Sequence, residues 1–125
     1  MADEISIADI PGLVGNTEWV SKWMEISQER INQFADATDD HQFIHVDPKA
    51  AAETAFGGTI AHGFLTLSML SAMYSDCVPV ARERTMGINY GFNKVRFVNP
   101  VRSGKRVRGH FILKEARLRG STLMS

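Results

Sequence analysis

The chain has 125 residues, 44% of them hydrophobic and 22% charged, with a formal net charge of zero. That length suits one domain with a sizeable core, and that balance suits an ordinary globular protein. No apolar run is long enough to cross a bilayer, and the start Met1-Ala2-Asp3-Glu4 is acidic with no secretory core, so neither a membrane partner nor export is expected.

The single Cys77 has no intramolecular partner, which fits the reducing cytoplasm. Charge is unevenly placed. Residues 1 to 80 hold three basic and twelve acidic side chains; residues 81 to 125 hold eleven and two. Two solvated faces are the plain expectation; the sharper one sets some of Arg82, Arg84, Lys94, Arg96 and Arg102 near an anionic ligand. No aromatic-basic platform or known motif accompanies the charge, so nucleic acid is not expected as a partner.

Pro11-Gly12 and Gly15-Asn16 mark residues 1 to 16 as a lead-in. Trp19 to Ile26 mixes aromatic and β-branched with polar residues and predicts a first strand. Ser27 is a suitable N-cap for a helix through Thr38, with Ile31, Phe34 and Ala35 on one face. Asp39 to Val46 is expected to be a loop. Asp47-Pro48 then opens a short Ala-rich helix that Gly57-Gly58 ends. A second helix is expected from about Gly63 to Tyr74. Its Phe64, Leu65, Leu67, Met69, Leu70 and Met73 leave it apolar on most sides, as a helix wrapped by other elements would be.

The remainder predicts β-structure. Ile88, Tyr90 and Phe92 alternate, and the phase shifts to Val95 and Phe97, which places a bulge near Asn93-Lys94. Val107, Phe111 and Leu113 belong to a half-solvated strand. Leu118 to Ser125 reads as one more strand.

Two patches carry residues suited to chemistry. The first is Asp39-Asp40-His41-Gln42-Phe43-Ile44-His45-Val46-Asp47-Pro48; the second is Gly57-Gly58-Thr59-Ile60-Ala61-His62-Gly63-Phe64. An Asp, four residues, then a His, followed by the glycine-led helix, resembles the MaoC-like hot-dog-fold enoyl-CoA hydratases. The likeness is strongest to a subgroup related to nodulation protein N, which Asn93-Lys94-Val95-Arg96-Phe97 and Pro100-Val101 also resemble. Gln42-Phe43 stand where the family often has Asn-Pro. Asp39 stands where it often has Gly, the easy residue for positive φ.

The resemblance implies one domain over residues 1–125. It implies an α+β hot-dog fold, an antiparallel β-sheet wrapped around the Gly63–Tyr74 helix. The family usually continues for about two more strands of ordinary length, so a C-terminally truncated or short form is expected. It also implies a homodimer and reversible hydration of a trans-2-enoyl thioester, of coenzyme A or an acyl carrier, to the (R)-3-hydroxyacyl product. No cofactor is implied.

That chemistry needs a base for water, an acid for the α-carbon and a donor for the enolate oxygen. An imidazole accepts a proton near neutral pH, which suits His45; Asp40 orients the same water. The Gly63 N–H is the expected oxyanion donor, at a helix start. Ser68 is expected to brace the Asp-His loop, with Gln42 and His62 in support, His62 by capping or packing. Asn93, Lys94 and Arg96 are candidate substrate contacts. His41 and His45 with Asp40 or Asp47 could be aligned for metal only on a helix, which Pro48 opposes, so no metal is expected. Cys77, Met69 and Met73 are expected to serve packing. Two alternatives remain: a hot-dog thioesterase, disfavoured because the helix carries no carboxylate before Asp76, and a non-catalytic thioester-binding or assembly subunit.

Overall fold

A computed structural model describes residues 3–119 and 121–125; Met1, Ala2 and Gly120, which belong to the acidic start and the last expected strand, lie outside them. The elements in chain order begin with β1 (Glu4–Ile5), a 3-10 helix (Ile7–Leu13), β2 (Glu18–Val20), β3 (Met24–Glu25) and α1 (Gln28–Thr38). Then come α2 (Phe43–Val46), α3 (Pro48–Ala52), α4 (Gly63–Ser68) and α5 (Leu70–Cys77). The chain closes with β4 (Val80–Ala81), β5 (Arg106–Val107), β6 (His110–Ile112), β7 (Arg117–Arg119) and β8 (Thr122–Met124). They gather into two compact units: Met1–Lys22, Ser71–Gly91 and Arg108–Ser125 in the first, Trp23–Leu70 and Phe92–Val107 in the second.

In the first unit β2 pairs antiparallel with β6, and β7 with β8, while β1 pairs parallel with β4. The last expected strand is thus a hairpin, Arg117 opposite Met124 and Arg119 opposite Thr122. The core here includes Ile10, Met73 and Val78, with Tyr74 edge-on to Phe111 at 5.6 Å. The strand expected over Trp19 to Ile26 is interrupted after Val20. Ser21 is the cause: its N–H donates to the Gly109 carbonyl and its hydroxyl accepts the Gly109 N–H, each at 2.9 Å, so a side chain replaces a ladder bond. A Cβ on Gly109 would stand 2.6 Å from the Phe111 ring. Ser21→Ala should strand a buried N–H and destabilise by about 1–3 kcal/mol in urea unfolding.

Partial burial, and then the neighbouring Asp76 carboxylate, hold the Cys77 thiol above its ordinary value, consistent with packing rather than reactivity.

In the second unit Ser27 caps α1 as expected, its hydroxyl accepting the Arg30 N–H at 3.1 Å, and Ile31 and Ala35 are buried. Asp47 caps α3 by accepting the Ala50 N–H, with Pro48 in the first turn. α1 ends at Asp39 with φ 60° and ψ 25°, the left-handed conformation. The family's glycine is explained by that angle, and aspartate is among the few other residues that tolerate it. The loop expected over Asp39 to Val46 contains a helical turn, α2, whose Asp47 N–H closes on the Phe43 carbonyl.

The helix expected from Gly63 to Tyr74 is divided at Met69 into α4 and α5. Two hydroxyls compete with its backbone ladder: Thr66 donates to the Gly63 carbonyl and Ser68 to the Phe64 carbonyl. Leu65 and Met69 are buried, but Phe64 is 66% exposed, so α4 is not covered on every side.

The strand and bulge expected from Ile88 to Phe97 are absent. No strand lies between Ala81 and Arg106, apart from a single bridge of Ile60 with Arg102. Alternation fixes which side chains share a face, but a ladder needs a second backbone. Tyr90 is 93% exposed, and Ile88, Phe92 and Val98 are exposed as well.

Candidate active site

All site residues lie in the second unit. α1 delivers Asp40 just past its left-handed end, where the Asp40 N–H bonds the Ala35 carbonyl at 3.2 Å. The Asp40 side chain is exposed and accepts the Gln42 N–H at 3.4 Å. α2 then carries His45 inward, to 7% exposure. Its Nδ1 lies 2.7 Å from the Ile60 carbonyl oxygen. A carbonyl only accepts, so Nδ1 carries a proton, and in the neutral ring Nε2 is the nitrogen with the lone pair. The fold therefore fixes the tautomer of the candidate base.

His62 is the most buried polar residue of the site, at 2% exposure. Its ring stacks on that of His45, centroids 3.9 Å apart and planes 24° from parallel, and meets Phe34 at 4.9 Å. Its Nε2 donates to the Asp40 carbonyl at 3.0 Å, and its Nδ1 is buried with no partner. His62 precedes α4 without a side-chain capping bond, so packing rather than capping is its role.

His45 and Gly63 line one cavity of about 290 Å³, together with Phe56, Ile60, Thr66 and Phe97. Gly63 is the first residue of α4, so its N–H has no acceptor in the helix ladder. A Cβ at Gly63 would stand 2.8 Å from the Phe97 ring. The missing side chain thus allows Phe97 to pack closely against the start of α4.

The other candidate residues have different surroundings. Ser68 is exposed and bonds the Phe64 carbonyl of its own helix at 2.7 Å instead of the Asp-His loop. Gln42 precedes α2 without a side-chain cap. Asn93, Lys94 and Arg96 are exposed and do not line the cavity, and Arg96 bonds the Val95 carbonyl.

Gln28 is the brace that sequence reasoning missed. Its amide donates to the His45 carbonyl at 2.7 Å and accepts the Thr59 hydroxyl, tying α1, α2 and the Thr59–Ile60 segment together. Nothing in the local pattern marks a glutamine in a first helical turn for such a task.

The match to the model of the MaoC like domain spans residues 12–123. The chain belongs to that family, and its fold is the α+β hot-dog fold. It is 59% identical over 122 residues to "Nodulation protein N" of Rhizobium meliloti (strain 1021), covering 97% of this chain and 76% of that one. It is 50% identical over 103 residues to "3-hydroxyacyl-thioester dehydratase Z" of Mycobacterium tuberculosis (strain CDC 1551 / Oshkosh), covering 82% and 68%. Among solved structures it is similar to the R-hydratase PhaJ1 of Pseudomonas aeruginosa, with a TM-score of 0.62, 28% identity and coverage of 78% and 58%.

Proposed function

We propose that this protein is a hydro-lyase that adds water reversibly to a trans-2-enoyl thioester of coenzyme A or an acyl carrier, giving the (R)-3-hydroxyacyl product. The observation that carries the proposal is the hydrogen bond of His45 Nδ1 to the Ile60 carbonyl, which leaves Nε2 as the lone-pair nitrogen of the neutral ring, in a residue that lines the same cavity as Gly63. His45 takes the proton from water as it attacks the β-carbon. Asp40 orients that water and assists proton delivery to the α-carbon. The Gly63 N–H receives the developing enolate oxygen. The names of the dehydratase and hydratase relatives support this reaction class.

Crotonyl-CoA tests the proposal. Loss of the enoyl absorbance with the thioester intact is the expected result. Release of free thiol would favour thioester hydrolysis, and no change would leave at most a binding subunit.

The two compact units are parts of one catalytic domain in this proposal, since the family match runs through both. The protein works as a cytoplasmic homodimer. Exposed Ile88, Tyr90 and Phe92, with no strand partner among the described residues, support a second chain as cover. Light scattering should give twice the chain mass at micromolar concentration; a stable monomer would count against the dimer. The described residues contain no helix long and apolar enough to cross a membrane.

A further inference from the structure

We infer that His62 is a positioning residue of the proposed hydration: one ring holds the main chain of Asp40 and the plane of the His45 imidazole, so that carboxylate and base face the same water. Its effect on turnover rests on the hydro-lyase proposal; its hold on the two residues does not.

A carboxylate oxygen of Asp40 and one ring nitrogen of each histidine lie within 4.8 Å of one another. The Asp40 side chain does little to secure that closeness, since it is exposed and its bond to the Gln42 N–H is long at 3.4 Å. Its place is set by its main chain. There the N–H bonds the Ala35 carbonyl at 3.2 Å, and the carbonyl accepts from Nε2 of His62 at 3.0 Å. The first bond belongs to the end of α1; the second ties Asp40 to the Ile60–His62 stretch, which also orients His45. The His45 ring needs a second restraint of its own. Its Nδ1 bond to the Ile60 carbonyl fixes one point, and a ring held at one point can still pivot about it. The His62 ring lies against it, centroids 3.9 Å apart and planes 24° from parallel, and removes that freedom.

The residue type at position 62 separates this role from plain space-filling. His62 is 2% exposed, and its Nδ1 is buried with no hydrogen-bond partner among the described residues. Whether that nitrogen carries a lone pair or a proton, burying it unmet is unfavourable. An apolar ring such as phenylalanine would pack beside Phe34 and His45 without that penalty. What phenylalanine lacks is the N–H that the Asp40 carbonyl accepts. An imidazole held there against stability, for one bond to a residue of the site, points to positioning.

Two variants of the whole protein separate the two holds. His62→Phe keeps a flat ring against His45 and removes the donor to Asp40. His62→Gln keeps an N–H for that carbonyl and removes the flat face. With crotonyl-CoA each should lower kcat per folded molecule by about 10²-fold, the scale of a misplacement of about 1 Å, while KM stays close to native. The thermal midpoint of His62→Phe should hold or rise, because the unmet nitrogen is gone. A merely structural histidine would give the reverse, a lower midpoint with native kcat. Native kcat in His62→Phe would overturn the hold on Asp40, and native kcat in His62→Gln the hold on His45. A midpoint well below native in His62→Phe would overturn the reading of the imidazole as held against stability. Nitrogen-15 relaxation of the His45 ring checks the stack without turnover: the ring should be more mobile in His62→Gln than in the wild type, and equal mobility would overturn the restraint. A wild-type protein inert toward crotonyl-CoA would sink the hydro-lyase proposal and the effect on turnover with it, while the relaxation result would still decide the restraint.

Discussion

Replacing His45 by Gln should lower kcat for crotonyl-CoA hydration by about 10²- to 10⁴-fold, the usual worth of a general base. The choice of substituent follows from burial. The His45 ring is packed against His62 and its Nδ1–H occupies the Ile60 carbonyl. The sequence predicts a loop around His45; its buried ring on α2 corrects that. Alanine would leave the Ile60 carbonyl unmet and cost about 1–3 kcal/mol of stability as well. Glutamine retains an N–H for that carbonyl while removing the basic nitrogen. Asp40→Asn should show a loss of the same order with an unchanged thermal midpoint, because its side chain is exposed. Near-native turnover in either variant would remove that residue from the mechanism.

Gly63→Val should lower kcat per folded molecule by about 10²- to 10³-fold, the effect of losing one oxyanion donor. The backbone N–H survives the substitution; the added side chain crowds the place where the thioester oxygen must sit. It also drives into Phe97, whose ring would be 2.8 Å from the new Cβ, so the thermal midpoint should fall too. The two effects separate in a pair of variants. Combining Gly63→Ala with Phe97→Ala removes the clash and should recover part of the midpoint lost in Gly63→Ala alone, yet leave turnover depressed. Recovery of midpoint and turnover together would mean that Gly63 only lets Phe97 pack.

Much of this site is legible in the sequence because its cues are local. Ser27 and Asp47 act as caps through their own side chains, and the Asp39 angle follows from the turn it must make. The spacing of Asp40 and His45 is set by one helix end and one helical turn. What the sequence hides is set by distant partners. The stack of His62 on His45 brings together residues 17 apart in the chain, and Gln28 reaches the same distance to the His45 carbonyl. The alternation of Ile88, Tyr90 and Phe92 marks a strand face without supplying the backbone that would complete a ladder. The many apolar residues after Gly63 likewise draw attention from Thr66 and Ser68, whose hydroxyls compete for helix carbonyls.

The Ile60 carbonyl that orients His45 is held by a stretch that contains no reactive group. Ile60 bridges Arg102, the Ala61 N–H bonds the Val101 carbonyl at 2.7 Å, and the Ser103 N–H bonds the Thr59 carbonyl at 3.0 Å. The direction of the His45 ring is therefore inherited from Val101–Ser103, some fifty-five residues beyond the motif. A lineage that kept Asp40 and His45 intact could still lose the proposed chemistry through drift there, and motif inspection alone would count such a descendant as competent.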